Sequence, residues 1–291
     1  MSTDNRSVAV KCNGWRSVAR DLVPPLLVRW LRPAPVVPAA PAIAGEQVVQ
    51  GGPLKGYSLL VDAERSAFGE MVAGVYDDFL WRALPTQLGE GCILDVGAHI
   101  GYHALSFAVL YPDRRVFAFE PNPANCERLQ HNLDLNASPA ARVRLFPVAL
   151  GDHDGRTGFN ASTNVDDQTS SGGYLQGVAP PLDDSVYQRS GFVGSTVAVR
   201  RLDGVVLEHG WGPVALIKID VEGAEQLVLT GALELLRRDR PLLFIEVHSV
   251  ACMLAVCNIL QPLGYAVQLL QLDRPGRGFV MARSATMAIQ G

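Results

Sequence analysis

An apolar run that meets an acid and then a glycine-rich turn constrains the fold of this 291-residue chain more than any other feature. The run spans Ile93–Val96 and contains Asp95, and the turn that follows has glycines at Gly97 and Gly101. This pattern is typical of a buried parallel strand that ends in a ligand-binding turn, with a helix beginning just beyond it. A tight structural turn without a ligand is the alternative interpretation.

A second apolar run, Val116–Phe119, also leads to an acid, Glu120. It follows the first run by one strand–helix–strand unit, and an acid in this place suits the ribose of a nucleoside cofactor. A carboxylate can accept hydrogen bonds from both hydroxyls of a vicinal diol. Alternatively, the charge favours the start of the next helix. The glycines do not follow the G-x-G-x-x-G spacing, which disfavours a pyrophosphate site.

Strand and helix patterns alternate from residue 57 to the end of the chain. We therefore expect an α/β fold with a doubly wound, mostly parallel sheet and right-handed crossovers. The patterns predict strands at 57–61, 92–96, 116–119, 143–148, 215–219, 242–247, 265–270 and 279–282, and helices at 79–84, 102–110, 123–135, 224–236 and 250–260.

Two segments interrupt this alternation. Residues 1–50 are expected to form a variable leader with a Pro/Ala-rich linker, followed by one domain over 51–291. Within the leader, residues 17–31 form either a weakly ordered segment or a helix that contacts a membrane surface or a partner. Residues 151–194 are rich in Asp, Ser, Gly and Pro, and they predict a substrate-side loop or lid, or else a plain surface insertion.

Composition excludes several classes of protein. The net charge of −4 gives no basic face for nucleic-acid binding. The five cysteines are scattered without a CxxC pair, which disfavours a zinc site and suits a reducing compartment. We found no apolar run of about 20 residues and no signal-peptide pattern, so we expect a cytoplasmic protein.

Two further strand ends carry polar side chains that suit catalysis. Asp220 and Glu222 follow the strand at 215–219, and Glu246 and His248 end the strand at 242–247. The carboxyl ends of parallel strands meet at one edge of a sheet, where ligands bind. His248 is a candidate general base near neutral pH. Asp220, Glu246 and His248 also offer a ligand set for a divalent metal, but we favour a site without one.

Three other polar residues near these motifs have structural interpretations. Lys218 is expected to pair with an acid on one face of the sheet. Glu225 is expected to be a solvated helix residue, and His103 a packing or capping residue.

The motifs together resemble those of the FkbM family of S-adenosylmethionine-dependent methyltransferases. The resemblance covers residues 71–265 and is most specific at Ile217–Glu225. It implies the seven-stranded class I methyltransferase fold, in which the last strand is antiparallel to the others. The segments that carry it are Asp95–Tyr102, Phe119–Asn122, Val148–Asp152, Ile217–Glu225 and Pro241–His248.

The resemblance also implies where the cofactor, S-adenosylmethionine, is held. Residues of the turn after the first strand would line its methionine end, Glu120 would bind the ribose, and Asp220 would lie near the methyl group. His99 would contact the ligand through its backbone. The predicted cofactor-binding residues are Tyr76, Asp95, Gly97, Ala98, His99, Gly101, Glu120, Pro121, Asn122, Ala149 and Asp220. Residues 170–175 resemble a glycine-containing loop near the substrate.

Family members chiefly methylate hydroxyls of sugars, glycans and secondary metabolites. The resemblance therefore implies an O-methyltransferase with a small-molecule or glycan acceptor. The predicted catalytic residues are Asp220, Glu222 and His248, with His248 or Asp220 as the base and Glu222 orienting the acceptor. A nicotinamide-dependent oxidoreductase and a non-catalytic cofactor-binding module are the alternatives that the residues leave open.

Overall fold

The computed structural model describes residues 44–64, 66–162, 173–178, 192–274 and 276–284. The segment predicted to contact a membrane or a partner, residues 17–31, lies outside this part. None of the helices in the described ranges is both long and apolar enough to cross a membrane. The strands are β1 Gly45–Val48, β2 Ser58–Val61, β3 Cys92–Val96, β4 Val116–Phe119, β5 Val143–Phe146, β6 Ala149–Leu150, β7 Gly155–Ser162, β8 Tyr174–Leu175, β9 Phe192–Arg200, β10 Val214–Ile219, β11 Leu242–Val247, β12 Tyr265–Arg274 and β13 Arg277–Ser284. The helices are α1 Ser66–Ala73, α2 Asp78–Ala83, α3 Tyr102–Leu110, α4 Pro123–Leu135, α5 Ala137–Ala140, α6 Leu202–Glu208, α7 Glu225–Thr230, α8 Leu233–Asp239 and α9 Val250–Leu260.

In the described part of the chain, seven strands form the main sheet, in the order β12-β13-β11-β10-β3-β4-β5. The five strands from β11 to β5 in this order are parallel to their neighbours. Strand β13 is antiparallel to both β11 and β12. The predicted class I methyltransferase fold, a mostly parallel seven-stranded sheet with an antiparallel last strand, is confirmed.

The main sheet is covered on both faces, which explains why its inner strands are continuous apolar runs. Successive side chains of β3 point to opposite faces. Ile93 belongs to the core on one face, whereas Leu94 and Val96 belong to the core on the other. Asp95 shares the face of Ile93 and is fully buried. The sheet therefore holds the residues that follow each strand at fixed positions along its carboxyl edge.

The strand order reverses at β3, where β4 lies on one side and β10 on the other. From β3 the chain continues to β4 on one side, whereas from β10 it continues to β11 on the other side. Because the connections run apart at this point, a crevice forms between the carboxyl ends of β3 and β10. This arrangement brings together the turn after Asp95, the acid Glu120 and the segment that begins at Asp220.

A second sheet, in the order β6-β9-β7-β8, takes β7 and β8 from the segment predicted to be a loop, whereas β6 precedes this segment and most of β9 follows it. Strands β7 and β9 pair antiparallel from Gly155↔Val199 to Ser162↔Phe192. The prediction of a loop over 151–194 is therefore wrong for much of the described part. Polar residues and glycines dominate β7, so it has no apolar alternation by which a strand is recognised.

The helix predicted at 224–236 is two helices, α7 and α8, separated at Gly231. A Cβ at Gly231 would collide with the carbonyl oxygen of Gly151, because the backbones of these two residues are in close contact. The carboxylate of Asp203 accepts hydrogen bonds from the backbone of Glu234 and Leu235, at 3.2 and 2.9 Å. A side chain from α6 thus caps α8 and starts a new helix.

Strand β1 pairs with β2, and Val49 after it is buried. This strand lies before the domain boundary expected near residue 50.

Candidate active site

A cleft of about 630 Å³ lies at the carboxyl edge of the main sheet. Strand ends of the main sheet form one side, and residues of the second sheet form the other. The lining residues are Val96, Gly97, His99, Phe119, Glu120, Pro121, Asn125, Val148, Ala149, Leu150, Phe159, Gly173, Tyr174, Leu175, Asp220, Val221, Glu222 and Ala224.

Glu120 follows β4, and three donors hold its carboxylate. The backbone N–H groups of His99 and Asn122 each donate at 2.9 Å, and the side-chain amide of Asn125 donates at 3.2 Å. Burial raises the pKa of Glu120 to about 7, although these hydrogen bonds favour the charged form. A carboxylate has about four acceptor positions, so this one retains capacity for a ligand hydroxyl. Asn125 was not identified from the sequence.

The turn after β3 brings backbone close to the cleft. Gly97 has a φ of 80°, and a Cβ there would collide with the carbonyl oxygen of Asp220. His99 has a φ of 50°, in the left-handed region that residues other than glycine rarely adopt. Its backbone N–H donates to Glu120, while its ring stacks on Phe68 with centroids 5.9 Å apart. A main-chain hydrogen bond thus joins the turn after Asp95 to Glu120 at the end of the next strand.

Lys218 lies between the two acids on either side of this turn. Its Nζ is 3.6 Å from Asp95 Oδ1 and 3.3 Å from Asp220 Oδ2, and it donates to the Gly97 carbonyl at 3.3 Å. The predicted pairing of Lys218 with an acid is confirmed. Burial opposes the charge on Lys218, but Asp220 and Asp95 raise its pKa above the usual value.

The two acids differ in the direction of their pKa shifts and in their access to the cleft. Burial alone would raise the pKa of Asp220, but the charges of Lys218 and His248 hold it well below its usual range. Asp220 lines the cleft, and the neighbouring positive charges favour its ionised form. Burial raises the pKa of Asp95, and this side chain does not reach the cleft lining. Asp95 therefore supports the turn from beneath it.

His248 lies behind the cleft wall among four carboxyl groups. Its Nδ1 is 2.7 Å from Glu225 Oε1, and its Nε2 is 3.2 Å from Glu222 Oε2 and 3.6 Å from both Asp220 Oδ1 and Glu246 Oε1. Burial opposes its charge, but the charge of Glu222 and the bond to Glu225 raise the pKa of His248 to about 10. A group that keeps its proton at neutral pH and stays outside the lining is poorly suited to be the base.

The structure corrects the interpretation of Glu225, which is buried instead of solvated. It also accepts the backbone N–H of Gly223 at 2.9 Å, which fixes the turn between β10 and α7. This acid is thus a structural partner of His248.

Arg277 from β13 completes the cluster and was not identified from the sequence. Its Nη2 and Nε lie 2.6 and 2.7 Å from Glu246 Oε1. Burial and the charge of Asp220 raise the pKa of Glu246 to about 8. The contact depends on the antiparallel register Val247↔Gly278, which no local sequence pattern reveals.

Glu222 is the acid of this group that shares the cleft lining with Asp220. It has a φ of 52°, a conformation that non-glycine residues adopt at a cost and that is often found at functional sites. His248 lies against its carboxylate. The turn at Asp220–Gly223 therefore presents two carboxylates to the cleft side by side.

The opposite wall comes from the second sheet. Phe159 on β7 and Leu175 on β8 belong to one apolar cluster with Ala149, and Tyr174 lies beside them in the cleft lining. Phe159 was not identified from the sequence, because its strand lacks apolar alternation. Residues 170–175 were noted only through their resemblance to a family loop.

The predicted cofactor-binding residues divide into two groups. Those in the cleft lining are Gly97, His99, Glu120, Pro121, Ala149 and Asp220. Those outside it are Tyr76, Asp95, Ala98, Gly101 and Asn122.

Several of the second group support the cleft indirectly. Asn122 caps α4 by accepting the backbone N–H of Ala124 at 3.1 Å. Gly101 precedes α3 with a φ of 87°, and a Cβ there would lie 2.9 Å from a side-chain atom of Leu129. Tyr76 packs edge-on against Tyr102, with ring centroids 5.6 Å apart.

The strand order and the acidic strand ends around one cleft define a Rossmann-like α/β protein of the class I methyltransferase type. A sequence model described as "Methyltransferase FkbM domain" matches residues 95–267, more than half of the chain. The chain belongs to this family.

Two relatives and one solved structure illustrate the similarity. The chain is 38% identical over 152 residues to "2-O-methyltransferase NoeI" of Sinorhizobium fredii, a match that covers 51% of this chain and 60% of that protein. It is 26% identical over 209 residues to "Hexuronic acid methyltransferase AglP" of Haloferax volcanii, which covers 71% of each. A crystal structure of methyltransferase FkbM from Methylobacillus flagellatus has a TM-score of 0.46 and 21% identity, over 67% of this chain and 43% of that one.

The chain spans only part of other relatives. The match to "AMB antimetabolite synthetase AmbE" of Pseudomonas aeruginosa is 29% identical over 182 residues and covers 8% of that protein.

Proposed function

We propose that the protein is an S-adenosylmethionine-dependent O-methyltransferase that acts on a hydroxyl of a sugar, glycan or secondary metabolite. The observation that carries the proposal is that Glu120 and Asp220 line the same cleft from the ends of two different strands. An acid after the second strand suits the ribose hydroxyls of a nucleoside. The lowered pKa of Asp220 favours its anionic form, which suits a positively charged sulfonium. Membership of the FkbM family supports the same chemistry.

The charge of the site fits a cationic cofactor. Among the described residues, carboxyl groups outnumber cationic side chains in the network at and behind the cleft, and ionised carboxylates next to a site favour a cationic ligand there. The acids are Asp95, Asp220, Glu222, Glu225 and Glu246, and the cations are Lys218, His248 and Arg277. The close approach of Gly97 to Asp220 also leaves no room for a side chain at residue 97.

The bound cofactor would supply an activated methyl group, so the protein must align an acceptor oxygen and receive its proton. Alignment can contribute up to about 7–11 kcal/mol, and general base catalysis typically about 10²–10⁴-fold. We assign the proton-accepting role to Glu222, which lines the cleft and is held by His248. The low pKa of Asp220 makes it a weak base and leaves it to stabilise positive charge. We assign His248 the role of positioning Glu222, because its ring lies against that carboxylate.

The acceptor class rests on the relatives. NoeI is named as a 2-O-methyltransferase and AglP as a hexuronic acid methyltransferase, and both names fit a sugar hydroxyl. The second sheet supports an acceptor on that side, because Tyr174 lies in the cleft lining and a tyrosine combines an aromatic ring with a polar hydroxyl.

We also infer that the protein works in the cytoplasm. Among the described residues, Cys92, Cys126, Cys252 and Cys257 are all free thiols. Free thiols are typical of reducing compartments.

Equilibrium dialysis with S-adenosylmethionine and, separately, with NADH tests the cofactor. We expect uptake of S-adenosylmethionine only, and a large loss of uptake in Glu120→Ala. Folded protein that takes up NADH instead, or neither compound, would contradict the proposal. Transfer of a labelled methyl group to a panel of sugars and glycans then tests the acceptor class.

A second experiment tests whether His248 and Glu222 act in methyl transfer and not in cofactor binding. We expect Glu222→Gln and His248→Ala to lower turnover while both keep their affinity for S-adenosylmethionine. Full turnover by Glu222→Gln would remove the proton-accepting role assigned to this acid.

A further inference from the structure

Three side chains at the ends of β10 and β11 converge behind the cleft. Asp220, Glu246 and His248 each offer one ligand atom, and these atoms lie within 4.8 Å of one another. Strands β10 and β11 are adjacent and parallel, so the main sheet fixes the spacing of the three residues. Two carboxylate oxygens and one imidazole nitrogen are a ligand set that first-row divalent metals accept.

The orientation of the histidine is an independent observation. His248 is 1% exposed, and among the described residues its Nε2 has no hydrogen-bond partner. This nitrogen nevertheless faces the oxygens of Asp220 and Glu246, each at 3.6 Å, and of Glu222 at 3.2 Å. The ring is therefore aimed into the group of carboxylates without forming a proper hydrogen bond to any of them.

The other ring nitrogen is held in the way that metal-binding histidines are held. Nδ1 of His248 is 2.7 Å from Glu225 Oε1, and Glu225 is fully buried. A buried carboxylate at one ring nitrogen fixes the ring and leaves the other nitrogen for a metal ion. Glu225 is in turn fixed by the backbone N–H of Gly223 at 2.9 Å.

We propose that Asp220, Glu246 and His248 form a binding site for one divalent metal ion, with Glu225 as the carboxylate that orients the histidine. The ion binds at Nε2 and replaces the proton there, which leaves to solvent. Glu222 lies next to this position and lines the cleft, so the ion would stand beside the acceptor hydroxyl. That last consequence rests on the proposed function, whereas binding of the ion does not.

Two cationic side chains compete for the same carboxylates. Arg277 contacts Glu246 at 2.6 Å and lies 3.9 Å from Glu222, and Lys218 lies 3.3 Å from Asp220. An ion must share these acids with both cations. If Arg277 and Lys218 alone satisfy the acids, the cluster is a structural ion-pair network.

Titration of the full-length protein with Mn²⁺ tests the site, with free Mn²⁺ measured by electron paramagnetic resonance at pH 8. We expect uptake of one equivalent by the wild-type protein. Glu246→Gln and His248→Asn should each weaken binding by at least about tenfold, and Glu225→Gln by about 10–100-fold through loss of orientation. Glu234→Gln is the matched control, because this acid is exposed on α8, and it should bind like the wild type.

Folded wild-type protein that takes up no Mn²⁺, or variants that bind it as tightly as Glu234→Gln, would overturn the proposal. Circular dichroism confirms the folding of each variant, and the wild-type titration decides the matter if a variant does not fold. Dialysis of the same protein with S-adenosylmethionine in EDTA separates the two proposals. If the protein takes up the cofactor but does not bind Mn²⁺, only the proposal of the metal site is wrong. If it binds Mn²⁺ but does not take up the cofactor, only the proposed methyltransferase function is wrong.

Discussion

The ionisation of Glu120 illustrates how a single residue can control ligand binding. Its carboxyl group is buried, and its pKa is raised to about 7. The ionised form can accept a hydrogen bond from a ribose hydroxyl in addition to those from His99, Asn122 and Asn125, whereas protonation removes acceptor capacity. The affinity for a ribose-bearing cofactor should therefore depend on pH in the neutral range.

We predict that the affinity for S-adenosylmethionine falls by about tenfold for each pH unit below about 7, because the ionised fraction of Glu120 falls by about that factor. Calorimetric titration between pH 5.5 and 8.5 measures this dependence. Glu120→Gln should bind weakly at every pH, without this slope. A wild-type affinity that does not change over this range would contradict the assignment of Glu120 to the ribose.

Lys218 is a residue whose contribution should appear in stability. It is buried between Asp95 and Asp220, so its removal leaves two acids without their nearest cation. Breaking a buried ion pair by removing one partner costs about 3–5 kcal/mol. We predict that Lys218→Met lowers the free energy of unfolding by that amount, measured by urea denaturation at pH 7. Lys55→Met, at an exposed position, is the control and should change it by less than about 0.5 kcal/mol. Equal losses in both variants would show that the network has no special role.

Strands of the main sheet that are buried on both faces were predicted well from the sequence, and so was helix α4. Strands Cys92–Val96 and Val116–Phe119 and helix Pro123–Leu135 have the predicted boundaries. Uninterrupted apolar runs and a proline in the first turn of the helix are local signals. The break between α7 and α8 depends instead on Asp203, which lies on another helix, so the local pattern could not indicate it.

The turn after β3 allows a test at the scale of an element. Gly97 and Gly56 have similar positive φ values, 80° and 86°. An alanine at either position pays the cost of that conformation, about 1–2 kcal/mol. A Cβ at Gly97 also collides with the carbonyl oxygen of Asp220, whereas one at Gly56 has nothing within 4 Å.

We predict that Gly97→Ala destabilises the protein by more than Gly56→Ala does and abolishes uptake of S-adenosylmethionine, whereas Gly56→Ala keeps it. Urea denaturation and equilibrium dialysis measure the two effects. If both variants lose the same stability and bind equally, the close approach between β3 and β10 is not needed for the site.

At the scale of the whole molecule, the cleft depends on contacts that cross between distant segments. The acids at strand ends could be predicted, because each follows a recognisable strand and parallel strands share one edge. Arg277 and Phe159 could not, because the first is placed by antiparallel pairing with β11 and the second by a separate sheet. Sequence analysis thus identified the main-sheet side of the cleft better than the opposite side.

A ligand in the cleft should therefore stabilise both sheets together. At a concentration of 100 times its dissociation constant, it would stabilise the folded state by about 2.7 kcal/mol. We predict that S-adenosylmethionine slows hydrogen–deuterium exchange at the ends of β3, β4 and β10 and also in β7 and β8, which carry Phe159, Tyr174 and Leu175. The pair β1–β2 contributes no residue to the lining and serves as the internal reference. Protection confined to the main sheet would mean that the second sheet does not border the cofactor, and its residues would then be tested with the acceptor alone.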